Sequence, residues 1–346
     1  MKGRVVVLGE VAGLEAAALM VDGRLEDLLV DATSVQPLVP GAICRARVDR
    51  PMKGQGGVFV ALPGGEKGFL REARGLAPGQ PVLVQITGGA EPGKALPVAT
   101  RLLFKGRFGI VTPGAPGLNI SRKIVDEALR AALQALAGAA MAGTEMGLIL
   151  RSACEHAGED EIAEDLASLR ALAEAVLADA EGAPELLVDA ATPHEEAWRD
   201  WADPPPDAVE EGFGPQGVLE AIDAVLGPRV ALPGGGHMMI EPTRALVAVD
   251  VNTGADTSPA AALKANIAAA RDLPRQLRLR GLGGQVVVDF APMPKRDRLA
   301  LEQQLRAAFK GEAAETSLVG FSAMGLFELV RKRDRVALAS LLGAHV

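Results

Sequence analysis

Two aspartates carry the chemistry this sequence can do. In RALVAVDVNTG and GGQVVVDF an apolar run ends at a carboxylate, Asp250 and Asp289, and the stretch between them has helical period. A strand–helix–strand crossover is right-handed and sets its two strands parallel, often adjacent. Both aspartates then project from one C-terminal sheet edge, where open α/β sheets keep their sites. Two carboxylates held that close repel each other unless a cation bridges them. Mg²⁺ suits the position because it takes one or two carboxylates and keeps several waters. Asn252, two residues beyond Asp250 on the same face, can hold a carboxylate or a water by hydrogen bonding. Capping competes with this reading. One aspartate at a strand end is more often a cap, and two joined by one crossover leave the readings evenly matched.

The linking helix, residues 259–280, adds a second feature. Leu263, Ile267, Ala270, Leu273 and Leu277 make the face to be buried, and Lys264, Arg271, Arg275 and Arg278 fall within one narrow arc. That stripe spans about 21 Å of helix, the length of several phosphates of one strand; alone it reads as a solvated basic face. Pro274 is expected to kink the helix. Flanking it are strands HMMIEPT, ALVAVDV and QVVVDF, a helix over 297–310 and a last helix carrying RKR. LPGGGH (residues 232–237) lacks the lysine and following helix of a phosphate loop and reads as a hairpin turn.

Upstream, residues 3–31 read as short strands around turns. From Pro40 to about Thr100, five short runs are punctuated by glycine and proline, the pattern of a small OB-type barrel. Phe59 and Phe69 fall on neighbouring strands of it and could stack on bases, although a core role is the commoner fate of a phenylalanine. Two alanine-rich helices follow, with the strand MGLILRS between them. The acidic, proline-rich stretch HEEAWRDWADPPPDAVEEGFGPQG reads as a linker or surface loop.

The 346 residues are 49% hydrophobic and 23% charged, the mix of a folded protein of two or three domains. No apolar run reaches the length of a membrane span. The cysteines, Cys44 and Cys154, form no CxxC pair, so a disulfide framework and a four-cysteine zinc site are excluded and a cytoplasmic location is expected. No HExxH pair or GxSxG serine supports a zinc peptidase or a hydrolase triad. The net charge of −8 is uneven: residues 155–227 hold 20 acidic and two basic residues, leaving the remainder basic. Local charge decides whether a phosphate backbone can dock.

VDVNTG, an asparagine separated by eight residues from RQLRLRGLGGQVVVDF, and GLFELVRKR together resemble the catalytic region of the ribonuclease E/G family of bacterial endoribonucleases. PGAICRARV and GGVFVALPGGEKGFL are similar to that family's S1-type barrel, and GLNISRKI and MGLILRS to its 5′-end sensor. The resemblance covers nearly the whole chain. It implies hydrolysis of single-stranded RNA with Mg²⁺ (Mn²⁺ as the alternative ion), leaving 5′-phosphate and 3′-hydroxyl ends, in rRNA or mRNA processing or decay. Asp250 and Asp289 match the metal-holding aspartates and Asn252 the asparagine beside them. Phe59, Phe69 and Lys94 match barrel positions that grip RNA; Gly106, Ile110, Arg151 and Ser152 match the pocket for a 5′-monophosphate, where Ser152 stands for the usual threonine.

The fold class so implied is mixed α/β, a multidomain α+β chain. Residues 1–36 and 185–227 would form an RNase H-like part, interrupted by the S1-type OB barrel at 37–100 and the 5′-sensor region at 101–184; residues 228–346 would form a DNase I-like catalytic part. Three departures accompany the resemblance: DFAPM replaces DFIDM and puts Pro292 at a second acid, the connection after VDVN is short, and Thr316 replaces a basic sensor residue. No paired cysteines follow RKR, so neither structural zinc nor a zinc-linked dimer is expected; a homo-oligomer would use another surface, and no scaffold tail is expected. The alternatives are an RNA-binding protein of the same family that cleaves poorly, and a metal-dependent DNA nuclease, which would leave barrel and sensor without a role.

Overall fold

Alternating apolar residues and two tight turns decide the first elements. RVVVLGEV, LEAAALMV and RLEDLLV form β1 (Arg4–Val11), β2 (Leu14–Val21) and β3 (Arg24–Val30). Ala12–Gly13 and Asp22–Gly23 all take positive φ at the two turns, the backbone that matches the twist of an antiparallel hairpin. The computed structural model describes residues 2–51, 56–71, 74–91 and 93–343. These group into two units, one of residues 1–35 with 209–346 and the other of residues 36–208.

The second unit begins with the barrel: β4 (Ile43–Pro51), β5 (Val58–Ala61), β6 (Lys67–Leu70), β7 (Pro81–Ile86) and β8 (Leu96–Ala99). The pairing runs β4-β5-β6-β8-β7 and closes from β7 back onto β4, with β6 and β8 parallel. This is the five-stranded OB-like barrel the punctuation predicts. Cys44, Val48, Val60, Leu70, Val84 and Ile86 fill it. A second sheet, β11-β12-β10-β9, is built from β9 (Phe104–Lys105), β10 (Gly109–Thr112), β11 (Leu118–Ile120) and β12 (Gly147–Leu150). Helices α1 (Glu127–Ala140) and α2 (Glu159–Ala178) cover it with Leu133, Ala137, Ile162 and Leu166. Next, β13 (Glu185–Val188) pairs with β4. Arg45 of β4, 5% exposed, reaches the end of α2 and the start of β13, donating to Ala183 O at 2.7 Å, to Asp179 and to Glu185.

The acidic stretch expected as a linker is structured. Thr192 caps α3 (Pro193–Asp200), its N–H donating to Glu195 at 2.9 Å. β14 (Ala208–Glu211) adds to β1 in the first unit. Trp201 and Phe213 are buried, and Phe213 lies so near Gly9 that a Cβ there would meet its ring at 2.9 Å. Two aromatic anchors outweigh the acidic composition around them. Residues 185–227 are consequently shared between the units, β13 and α3 lying in one and most of β14 in the other.

After α4 (Val218–Leu226) comes a six-stranded sheet ordered β15-β16-β17-β18-β20-β19. Its strands are β15 (Arg229–Ala231), β16 (His237–Pro242), β17 (Val247–Asn252), β18 (Gly284–Asp289), β19 (Thr316–Phe321) and β20 (Phe327–Arg331). Helices α5 (Pro259–Leu279) and α6 (Lys295–Phe309) bury one face of it, and α7 (Leu338–Leu341) follows. RKR therefore begins at the end of a strand, not in the expected helix. Phe327, Leu329 and Arg331 point inward while Glu328 and Val330 point out, a period of two. α5 runs as one helix through Pro274. No helix among the described residues is long and apolar enough to cross a membrane.

A network of ion pairs joins α5 to β3 within the first unit. Arg278 meets Glu26 at 2.7 Å, Asp27 at 3.6 Å and Glu312; Arg335 meets Asp27 at 2.6 Å; Arg331 meets Glu312 at 3.1 Å. Burial by itself would raise the Asp27 pKa, but Arg335, Arg278 and the Leu28 N–H outweigh it and hold the carboxyl below its ordinary range. Its contribution is thus full above the ordinary value of 3.8 and is lost as pH falls toward the depressed one. Asp27→Asn is expected to lower unfolding free energy at neutral pH by about 3 kcal/mol and to flatten the acid limb in urea titrations. A loss equally large at pH 3 and pH 7 would contradict this.

Candidate functional site

The crossover delivers its two carboxylates side by side. Ser258 caps α5, accepting from Ala261 N at 3.2 Å, with Pro259 at the first helical position. The helix stops where Gly281 takes φ +62°: Gly281 N donates to Arg278 O and Leu282 N to Leu277 O, a two-bond termination that needs a left-handed residue. β18 then runs parallel to β17 with Asp289 opposite Asp250. Adjacent strands are about 4.8 Å apart, so both carboxylates rise from neighbouring positions on one face. That face is the open one: Val249, Val251, Val286 and Val288 are buried on the helix side, whereas Asp250 and Asp289 are exposed.

Asn252 Nδ2 donates to Asp250 Oδ2 at 2.7 Å. Across β16 the row continues through Met239, opposite Asp250, and His237, opposite Asn252; His237 Nδ1 is buried without a hydrogen-bond partner. The glycine hairpin 234–236 lies against this strand end. A Cβ on Gly236 would meet Asn252 O at 2.7 Å, and one on Gly254 would meet Gly235 O at 2.5 Å. LPGGGH is a hairpin packed on the site, as the missing lysine implied. Among the described residues no group of three or more His, Cys, Asp or Glu converges to hold a metal, so the donor set here is two hard carboxylates and an amide.

Asn266, the asparagine ahead of RQLRLRGLGGQVVVDF, has no role that the sequence alone assigns. It is fully buried in α5 and clamps the loop after Asp289, donating to Ala291 O at 2.9 Å and accepting from Ala291 N at 2.9 Å. An asparagine on an otherwise apolar helix face was the available signal.

The basic stripe is split. Lys264 and Arg271 are exposed, Arg271 donating to Gln304 at 3.0 Å. Arg275 and Arg278 instead turn to β3, to Leu25 O at 2.5 Å and to Glu26 and its carbonyl. Arg275 also pairs with Asp272 at 2.7 Å. Four cations do not make one solvated row; two of them anchor the helix.

On the barrel, Phe59 and Phe69 are cross-strand partners with centroids 5.6 Å apart, tilted at 57° and half-buried. Gly57 makes this possible, since a Cβ there would lie 2.5 Å from the Phe69 ring. Lys94, in the loop before β8, pairs with Glu91 at 2.6 Å.

Gly106, Ile110, Arg151 and Ser152 lie around the β9–β10 turn and the end of β12. Asp165 of α2 accepts from Phe108 N at 2.9 Å and Gly109 N at 3.2 Å. Its carboxylate lies 2.4 Å from where a Gly106 Cβ would be, which explains that glycine. Ile110 sits half-buried on β10, opposite Ile149 of β12. Arg151 donates to Gly106 O at 2.8 Å, to Arg199 O at 3.2 Å and to Asp200 at 2.5 Å, and Ser152 Oγ donates to Asp203. Burial would raise the Asp200 pKa, but its bonds with Arg199 and the charges of Arg199 and Arg151 hold it below the carboxylate range. Arg107 stacks over Trp198 at 4.4 Å and Phe108 at 5.1 Å. No local pattern marks Asp165, Asp200 or Asp203, since Phe108, Arg151 and Ser152 lie 57, 49 and 51 residues away from them.

Two stretches of the chain, residues 104–211 and 207–334, match the model of the ribonuclease E/G family. The chain is 33% identical to ribonuclease E of Nostoc sp., over 78% of this chain and 45% of that one. It is 30% identical to ribonuclease E of Synechocystis sp., over 95% and 57%, and 28% identical to ribonuclease G of Escherichia coli, over 97% and 81%. It thus spans about half the length of the two ribonuclease E relatives. Asn266→Ala is expected to leave both backbone groups of Ala291 unpaired, destabilising the fold by about 2–4 kcal/mol and speeding amide exchange around Asp289–Ala291. Unchanged exchange there would mean Asn266 does not hold the loop.

Proposed function

The chain belongs to the ribonuclease E/G family, and from that premise we propose that it is a Mg²⁺-dependent endoribonuclease that cleaves single-stranded RNA to 5′-phosphate and 3′-hydroxyl ends. The observation that carries the reading is the register of Asp250 with Asp289, together with the Asn252 bond to Asp250. Among the described residues no third acidic or imidazole group converges on these two exposed carboxylates, and such a pair is a donor set that Mg²⁺ accepts, since it retains water at its other positions. Zn²⁺ prefers four nitrogen or sulfur ligands, which this face does not offer.

Asp250 and Asp289 would hold the ion. When bound, Mg²⁺ supplies Lewis-acid stabilisation of charge at the scissile phosphate. Asn252 keeps Asp250 in one rotamer, and Asn266 fixes the backbone two residues past Asp289, so the carboxylates do not reorganise during reaction. Phe59 and Phe69 present a sequence-tolerant stacking surface for unpaired bases. Lys94, Lys264 and Arg271 offer charge for phosphates; Arg275 and Arg278 support α5. Gly106, Ile110, Arg151 and Ser152 form the pocket for the RNA 5′ end.

One observation favours a second reading, an RNA-binding protein that cleaves poorly: Pro292 stands where the family pattern has an acid, leaving two carboxylates. A labelled single-stranded RNA incubated with Mg²⁺ separates the two. Cleavage is expected, and Asp250→Asn should lower its rate at least about 100-fold and abolish Mg²⁺ binding in calorimetry. RNA bound equally by both proteins and cut by neither would give the second reading. For the basic contacts, Lys264→Gln with Arg271→Gln should weaken RNA affinity and reduce the salt slope by about two, whereas an unaltered slope would remove α5 from the RNA surface.

A further inference from the structure

The end-binding pocket carries its own acid on each of its polar side chains. Arg151 and Ser152 are the groups that would receive a 5′-phosphate, and both are engaged by carboxylates from the end of α3 and just beyond it. Asp200 accepts from Arg151, and Asp203 accepts from Ser152. We propose that Asp203 is the residue that sets which RNA 5′ end this pocket accepts, and that in this chain it disfavours a 5′-phosphate. The proposal rests on the reading of Arg151 and Ser152 as the 5′-end pocket.

The two acids differ in how firmly they are held. Asp200 takes bonds from both Arg199 and Arg151, at 2.9 Å and 2.5 Å, and those cations keep it ionised. It is a fixture that sets the Arg151 rotamer. Asp203 has the Ser152 hydroxyl and Lys123, whose Nζ is 3.7 Å away on a side chain 73% exposed. Asp203 is therefore the acid whose partners can change.

The hydroxyl of Ser152 has one proton, and it gives that proton to Asp203. A phosphate dianion offers acceptors only, so it cannot accept from Ser152 until that bond breaks. A terminal phosphate also carries between one and two negative charges at neutral pH and would approach the Asp203 carboxylate already seated on its ligand. Like charges at contact distance disfavour binding far more than the loss of one neutral hydrogen bond. A 5′-hydroxyl end brings no charge and can donate to Asp203 itself. The surrounding cations, Arg151, Arg199 and Lys123, still attract RNA; Asp203 decides how that attraction depends on the end group.

Anisotropy of a short 3′-fluorescein single-stranded RNA, carrying either a 5′-monophosphate or a 5′-hydroxyl and held in EDTA so that no cleavage occurs, tests this on the full chain. The native protein is expected to bind the 5′-hydroxyl RNA more tightly than the monophosphate RNA. Asp203→Asn keeps the shape and an acceptor for Ser152 while removing the charge. It should gain about tenfold for the monophosphate RNA, and Arg151→Gln added to it should erase the gain. A native protein that prefers the monophosphate as strongly as Asp203→Asn overturns the role of Asp203 and leaves the pocket reading intact. No end preference in Asp203→Asn, with Arg151→Gln also without effect, overturns the proposal and removes the pocket reading with it.

Discussion

Asp250 and Asp289 can share a ligand only because β17 and β18 run parallel and in register, and α5 decides that register. The helix must start close to Asn252, travel the length of the sheet on its buried side, and stop where β18 can begin. Each of those steps has a physical cause on the helix itself: the Ser258 cap, an apolar face matched to Val249, Val251 and Val288, and the left-handed stop at Gly281. Glycines 281 and 283 also lie against the backbone that follows β20, where a Cβ would meet Val336 O at 2.4 Å or Lys332 O at 2.7 Å. The long motif around RLRGLGG and the terminal RKR are thus two sides of one packing contact.

Electrostatics in this chain is mostly internal. Arg275 and Arg278 leave the outer face of α5 to pair with β3 and its neighbours, and Arg331, 2% exposed, shares Glu312 with Arg278. Removing one member would leave a buried charge uncompensated, which is costly, so these groups stand or fall as a set. The same logic accounts for much of the acidic stretch 155–227. Asp165 caps backbone N–H groups at the β9–β10 turn, Asp179 and Glu185 pair with Arg45, and Asp200 binds Arg151 and Arg199. Those acids are counter-ions and caps within their own unit rather than a free negative surface.

What could be read from the sequence follows from how local the signal was. Asp250, Asn252 and Asp289 stand at the ends of apolar runs joined by one helix, so strand, crossover and register could be inferred from neighbours. The barrel was legible for the same reason, its turns being marked by glycine and proline. The acidic segment was misread because its composition is polar while two residues in it, Trp201 and Phe213, do the packing. RKR was read as helical although FELVR alternates, since the segment is too short for period alone to decide. Arg275 and Arg278 looked solvated because their partners, Leu25 and Glu26, lie some 250 residues away. No local pattern reports a contact of that kind, and Asp203 beside Ser152 is another instance.

Pro292 bears on the same constraint that opens the site. It follows directly on Ala291, whose N–H and C=O are both taken by Asn266, and its ring fixes φ near −65°. The chain leaving Asp289 is therefore determined from two sides, by a buried amide and by a proline ring. An ion held by two carboxylates would have few of its positions filled by protein, and water would fill the others. The value of such a pair then lies less in the number of donors than in how little they move, because a carboxylate that must be reoriented on binding weakens every contact that depends on it. A proline after a clamped residue removes freedom at the point where an added acid would have supplied charge. Rigidity of the chain beyond Asp289 and the Asn252 bond to Asp250 are the two features that would keep such a pair in place.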